Sequence, residues 1–401
     1  MDRASADDQL ARECAPVPEA RNPRPRLVYV VPHLSEAESE HFAHIPALLA
    51  ALGQRIDVAA AVERGNPPAR LAGVRLLLRV PGRGRLGRLV GTVRTVHRCA
   101  RAGYRTYFLR YSTLFVTVLI LTRPVYRHRI LLWRSGTANL PVPGERTSWH
   151  QRLRRPLNRV TARSVHCLVT GPESMIPVMA GQCGVPRDRM RLLYNDIDAE
   201  RFAPLSPEAR DAARARRGWG DDEFVLLYVH RLSYRRGVRL LVPLLTALGT
   251  TEEGPARDVR LVVVGDGPER SRLERAAADP ALGGRMQVVG PVPNRDLPEL
   301  YAAADCLVMP SYEEGFPRVL LEAMASSTPV VTTDAGGSAD VVGADYPYVA
   351  PVGDLDALIR HARAVMLLMP EERRLLGQRL RERARREFSP QRAAAMLEAI
   401  L

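Results

Sequence analysis

The chain has 401 residues, 46% of them hydrophobic and 25% charged, with a formal net charge of +14. That is enough apolar material for two cores of ordinary size. Its five cysteines, Cys14, Cys99, Cys167, Cys183 and Cys306, are scattered without a C-x-x-C pair, so they suggest neither a disulfide framework nor a zinc site and point to a reducing compartment.

All 58 basic side chains are arginine and none is lysine, a uniformity that reads as coding bias. Residues 1–200 hold 31 arginines against 16 acids, and the remainder 27 against 28, so the positive excess belongs to the first half. From Arg64 to Gly144 there is no acid at all.

Taken in order, Met1 to Arg26 is polar, with acids at Asp2, Asp7 and Asp8, so it reads as no signal peptide, and residues 1–25 as a disordered tail. Strand-like runs follow at Leu27–Val31, Ile56–Ala61, Val74–Val80, Thr106–Leu109, Ile130–Trp133, Val165–Thr170 and Met190–Tyr194, with helix-like segments at about 38–52 and 86–102. Such alternation predicts a parallel sheet wound on both faces over 26–205. The apolar stretch Leu114–Leu121 is far shorter than the roughly 20 residues a membrane span needs. The charged stretch 206–222 reads as a linker. A second alternation, Phe224–Val229, Val259–Val264, Met286–Val289, Cys306–Met309 and Val330–Thr332, predicts another such domain over 223–385. The segment 386–401 reads as a helix that packs on either domain, and no repeat of 20 to 50 residues is present. The expected fold class is α/β, two doubly wound Rossmann-like domains facing a central cleft.

Several motifs have plainer readings. Gly82-Arg83-Gly84-Arg85-Leu86-Gly87 fits the dinucleotide G-x-G-x-x-G pattern, but no acid lies about 20 residues on to hold a ribose, so it reads as a basic loop. Leu86, Leu89, Val90, Val93 and Val96 recur at helical spacing beside Arg85, Arg88, Arg94, Arg98 and Arg101. This suits either a core-packing helix or one lying on an anionic membrane across 79–105. No nucleic-acid motif or aromatic platform accompanies the basic stripe, and nucleic acid is not expected as a partner. His41 and His44, Asp196 and Asp198, and Asp354 and Asp356 are read as structural pairs, not metal ligands.

The strongest chemical signal is Ser311-Tyr312-Glu313-Glu314-Gly315-Phe316-Pro317-Arg318-Val319-Leu320-Leu321-Glu322, two carboxylates eight residues apart across a turn that becomes an apolar helix. The strand-like run before it places the turn at the carboxyl end of a parallel strand, where ligands bind in open α/β sheets. His230-Arg231-Leu232-Ser233-Tyr234-Arg235-Arg236-Gly237 ends another strand, and Arg231 and Arg236 offer forked donors to phosphate oxygens. Arg110 and the Arg134-Ser135 pair end first-domain strands and are candidates for acceptor or phosphate contact.

Together with Tyr194-Asn195-Asp196-Ile197-Asp198, Gly265-Asp266-Gly267-Pro268 and Pro329-Val330-Val331 leading to Gly336-Gly337, these residues resemble glycosyltransferase family 4 over about Val165 to Ala350. The family comprises retaining nucleotide-sugar transferases of GT-B fold. The resemblance implies that Arg231 and Arg236 hold the donor diphosphate and Glu322 the ribose. It assigns the transferred sugar to Glu314 with the backbone of Gly315, Phe316 and Pro317, and makes Gly265 and Gly267 a donor-side turn. No metal or other cofactor is implied. The expected partners are a nucleotide sugar and a carbohydrate, glycolipid or small-molecule acceptor, in the cytoplasm or at the inner membrane face. Departures are Arg236 where the family has Lys, His230 and Ser327 where it has Gly, and Asp340 where it has Glu. The Gly-Gly loop is missing at Pro32-His33-Leu34-Ser35, as is a His near Leu132 to Gly136. Competing readings are a non-catalytic scaffold binding lipid or nucleic acid, and a sugar-nucleotide epimerase.

Overall fold

The computed structural model describes residues 24–35, 44–110, 112–134, 149–249 and 258–401. Seven strands form the first sheet: β1 (Arg26–Val31), β2 (Asp57–Val62), β3 (Val74–Arg79), β4 (Thr106–Arg110), β5 (Arg129–Trp133), β6 (Cys167–Thr170) and β7 (Met190–Leu192). All neighbours pair in parallel, in the order β3-β2-β1-β4-β5-β6-β7. The second sheet contains β8 (Phe224–Val229), β9 (Val259–Val264), β10 (Met286–Gly290), β11 (Cys306–Met309), β12 (Val330–Thr333) and β13 (Val349–Ala350), parallel in the order β10-β9-β8-β11-β12-β13. The direction in which successive strands are added across the sheet reverses between β1 and β4 and again between β8 and β11. Each reversal opens a crevice at the carboxyl ends of adjacent strands.

The central strands are buried on both faces, as unbroken runs such as Leu27–Val31 and Phe224–Tyr228 require. The apolar stretch Leu114–Leu121 lies inside a helix, Thr113–Tyr126, whose buried face is Phe115, Val116, Val118 and Leu119. Ser112 caps it by accepting from Phe115 N at 3.3 Å. Among the described residues no helix is long and apolar enough to cross a membrane.

Three readings of the sequence need adjusting. The stretch expected as a linker carries a helix, Pro207–Ala215, that belongs to the second core. Its Arg214 is buried, paired with Asp305 at 3.0 Å, and donates to Gly220 O and Glu223 O at 2.6 Å each. Polarity and charge suggested a linker because they cannot reveal that one arginine is ion-paired inside the second core. Strand β13 was missed because two residues are too short to show a period. The basic helix of the first half, Gly84–Arg101, turns Gly91, Thr92, Thr95, Val96, Cys99 and Ala100 to the core. Of the five apolar residues read at helical spacing only Val96 is inside, while Leu89, Val90 and Val93 are exposed and Leu86 is 74% exposed.

The terminal helix, Pro390–Ile400, packs on the first domain: Ala393, Ala394, Leu397 and Ile400 join the core around the helix Ile45–Arg55. Arg55 pairs with Glu398 at 2.6 Å. The chain thus crosses back between lobes near Phe388.

Ser327, where the resembled family has glycine, follows the helix Arg318–Ala325 in left-handed backbone with φ 58°. A side chain there costs about 1 kcal/mol or more, partly offset by the greater unfolded-state freedom of glycine. Ser327→Gly is expected to stabilise the chain by about 0.5–1 kcal/mol, read as a higher urea midpoint; an unchanged or lower midpoint would contradict this.

Candidate active site at the second switch point

The loops after β8 and β11 leave adjacent strands in the same direction, so their first residues meet. At that meeting Glu314, 4% exposed, places Oε1 within reach of three donors. Ser311 Oγ donates at 2.8 Å, His230 Nε2 lies at 3.0 Å and Arg236 Nη1 at 2.7 Å. His230 Nδ1 accepts the backbone N–H of Arg231 at 2.7 Å. That bond needs a lone pair on Nδ1, so the ring proton sits on Nε2 and points at Glu314. Burial pushes the Glu314 carboxyl up, but His230, the Arg236 guanidinium and the Ser311 hydroxyl outweigh it and hold it below the ordinary glutamate value.

Two glycines let the surrounding loops close on this knot. Gly265 has φ 134°, and a Cβ there would lie 1.9 Å from His230 O; Gly336 has φ 56°, and its Cβ would lie 2.0 Å from Glu314 O. No other residue type fits either place. The Gly265-Asp266-Gly267 turn is further laced to the His230 loop through Leu232 N to Asp266 O at 2.9 Å and Glu269 N to Leu232 O at 3.0 Å. Gly315 O accepts from Gly337 N at 3.0 Å.

Arg236 also donates to Glu313 O, and Arg235 pairs with Glu313 beside it. Arg231 is exposed, and its side chain makes no ion pair among the described residues. Glu322 lies one helical segment behind, buried, accepting from Tyr301 Oη at 2.9 Å. Burial raises its carboxyl above the usual range, against the pull of Arg318 and the Tyr301 hydroxyl.

Phe316 and Pro317 are buried, and the Phe316 ring stacks on Tyr194 with centroids 5.4 Å apart and meets Phe388 edge-on at 5.5 Å. Its side chain therefore sits in the seam between the domains, and only its backbone remains for a ligand. Arg110, 3% exposed, lies over the Trp133 ring at 4.5 Å and donates to Asn195 Oδ1 at 3.1 Å. Asn195 Nδ2 in turn donates to Phe316 O at 3.0 Å, and Arg318 Nη1 to Asp196 O at 3.0 Å. Arg110 thus reaches the loop of Glu314 and Phe316 through Asn195. Arg134 is held elsewhere, by Asn158 Oδ1 at 3.1 Å, and Ser135 lies outside the described residues. His41, Tyr111 and Gly136 also lie outside them.

The sequence reading passed over Ser311, His230, Asn195, Arg318 and Tyr301 as actors, although the first four stand within the motifs it quoted. Ser311 is three residues before Glu314 and His230 ends β8, positions that strand-end reasoning marks out. Tyr301 carried no such signal. Among the described residues no cluster of three His, Cys, Asp or Glu is arranged to hold a metal ion.

Residues 209–385 match the model of the family described as Glycosyl transferases group 1. That span covers the Glu314 knot, both glycine turns and Glu322. The chain is 29% identical over 221 residues to a 2-deoxystreptamine glucosyltransferase of Streptomyces kanamyceticus, a match covering 54% of this chain and 56% of that protein. It is 34% identical over 165 residues to a D-inositol 3-phosphate glycosyltransferase of Nocardia farcinica, covering 40% and 35%. The chain spans about half the length, or less, of the curated relatives it matches. Whole-chain likeness comes from solved structures. Sucrose-phosphate synthase from Thermosynechococcus elongatus aligns with TM-score 0.74 and 22% identity over 94% of this chain and 98% of that one. Anabaena HepE in complex with UDP-glucose aligns with TM-score 0.69 and 17% identity over 94% and 100%. The fold is GT-B, two Rossmann-like domains, as expected from the sequence.

Proposed function

We propose that the protein transfers a glycosyl group from a nucleoside-diphosphate sugar to an acceptor hydroxyl, with retention of configuration. The observation that carries this reading is the buried, ionised Glu314 fixed against His230 and Arg236 at the β8–β11 crevice, inside the span that matches the glycosyl transferases group 1. The HepE structure holds UDP-glucose, which supports a nucleotide sugar as donor here.

In this reading Arg231 and Arg236 grip the donor diphosphate, and Glu322 takes the ribose hydroxyls on the oxygen that Tyr301 leaves open. Glu314, with the backbone of Gly315, Phe316 and Pro317, orients the sugar. The bond from the sugar's anomeric carbon to the diphosphate oxygen breaks as the bond to the acceptor oxygen forms on the same face. The acceptor proton passes to the departing phosphate, so the products are a glycoside and a nucleoside diphosphate. Negative charge grows on the leaving group in the transition state, where preoriented guanidinium groups stabilise it most. These two cations supply the charge a metal ion would otherwise bring, and the reading assigns none. Glu314 acts by position: its carboxylate is already desolvated and aligned, so little reorganisation is left for the reaction.

Charge-assisted hydrogen bonds are worth about 1.5–3 kcal/mol each. Arg236→Ala and Arg231→Ala are therefore expected to lower transfer, or donor hydrolysis, at least tenfold, and Glu314→Gln by about as much or more, with the fold retained by circular dichroism. Near-normal turnover in all three would remove the basis of the proposal.

A second element of the proposal is attachment to an anionic membrane surface, favoured by Leu86, Leu89, Val90 and Val93 standing exposed among arginines on the helix Gly84–Arg101. Apolar side chains beside unpaired cations suit the boundary of an acidic bilayer. In flotation assays the protein should associate with phosphatidylglycerol vesicles in a salt-sensitive way, and Leu89→Asp with Val93→Asp should abolish this. Equal recovery of wild type and variant would overturn it.

A further inference from the structure

A cavity of about 760 Å³ opens at the carboxyl ends of β2 and β3, and Glu63, Arg64, Arg79, Arg83 and Arg88 are among its walls. Its position follows from topology. Glu63 is the first residue after β2, and its Oε1 accepts from Ser112 Oγ at 2.8 Å, two residues beyond the end of β4. Arg110 closes β4 and reaches Asn195 and, through it, the Phe316 carbonyl. The cavity therefore lies at the carboxyl end of the first sheet, toward its β3 edge, and shares no residue with the Glu314 knot.

Its charge is unbalanced. Four guanidinium groups share the space with one carboxylate, and the sequence holds no acid from Arg64 to Gly144 that could answer them. Among the described residues none of the four arginines makes an ion pair; Arg88 Nε donates only to Gly84 O at 3.3 Å. Burial pushes the Glu63 carboxyl up, against the pull of Ser112, Arg64 and Arg88. The 18-residue helix Gly84–Arg101 begins on the cavity wall and adds the positive end of its dipole. Arg214 and Arg260, by contrast, are paired with Asp305 and Glu223. Here the four arginines line one cavity with no ion-pair partner among the described residues, and forked donors from several directions match the oxygens of a phosphate group.

We propose that this cavity binds a phosphate group carried by the acceptor, with Arg79 and Arg83 as its principal contacts and Arg64 and Arg88 beside them. The proposal rests on the glycosyl-transfer reading and extends it: the acceptor is a phosphate-bearing molecule whose hydroxyl is presented to the cleft. Either a soluble phosphomonoester or a phosphate-bearing lipid headgroup supplies this chemistry. The exposed Leu86 and Leu89, on the turns that follow Arg83, place an apolar surface where the tail of a lipid-borne acceptor would lie.

The test uses the full chain in two steps. A thermal-shift panel of nucleoside diphosphates first identifies one that protects the protein. Glycerol phosphate, and phosphatidylcholine vesicles with and without phosphatidic acid, are then titrated onto protein saturated with that nucleotide. Wild type should bind glycerol phosphate, the phosphatidic acid vesicles, or both, and the tighter of the two names the carrier. Arg79→Gln with Arg83→Gln should weaken this binding at least tenfold while leaving the nucleotide shift intact, and Arg79→Lys with Arg83→Lys should restore most of it. The site assignment is overturned if the glutamine variant binds as wild type does, if neither phosphate probe binds, or if binding is lost in Arg236→Gln instead. Absence of any nucleotide protection in wild type would count against the donor reading itself, and so separates the two failures.

Discussion

A charged carboxylate in the interior of a protein is costly, several kcal/mol even after relaxation, unless it is paired and hydrogen-bonded. Glu314 is such a group, and the architecture around the second switch point is what keeps it ionised. Ser311 from its own loop and His230 and Arg236 from the neighbouring one all converge on a single oxygen. Satisfying it dictates the rest: β8 and β11 must be adjacent, their loops must leave together, and glycine must stand at 265 and 336 so that neighbouring turns can close. His230 shows how tightly the solution is specified. With the Arg231 amide on one ring nitrogen and Glu314 on the other, a side chain where the resembled family has glycine becomes a structural donor.

The same loop is held from the opposite lobe. Asn195 spans from Arg110 of the first domain to the Phe316 carbonyl, Tyr194 stacks on the Phe316 ring, and the terminal helix returns across the seam to pack on the first domain. Asp196 is fully buried here beside Arg318 and Arg110, and burial raises its carboxyl against their pull. A loop anchored by both domains cannot shift without disturbing their relative placement. The proposed donor contacts and the lobe geometry are therefore coupled through about six side chains, a coupling that suits a reaction whose two substrates enter from opposite walls.

Much of this was readable in the sequence. Alternating apolar runs located most strands to within two residues, and strand-end logic led to both Glu314 and Arg236, because a parallel sheet leaves few places for a glycine-flanked acid after a buried strand. What failed was anything needing partners distant in sequence. Arg214 fell inside the stretch read as a linker, yet it is buried and paired with Asp305, 91 residues further along the chain. The helix Gly84–Arg101 shows the limit of periodicity in another way. Its leucines and valines mark one face, but the small residues Gly91, Thr92, Thr95 and Ala100 occupy the core side. Close packing against a sheet favours such residues, and hydropathy undervalues them. Arg134 looked as suitable as Arg110 at a strand end, but Asn158 holds it away from the seam.

The central claim is that the Glu314 knot organises a site for the diphosphate of an activated sugar. The most direct measurement is a crystal structure of the full chain grown with a nucleoside diphosphate. The account predicts the diphosphate at the carboxyl ends of β8 and β11, hydrogen-bonded to Arg231 and Arg236, with the His230–Glu314 contact intact. A nucleotide seated at another edge of the sheets, or one bound with both guanidinium groups turned away, would contradict it.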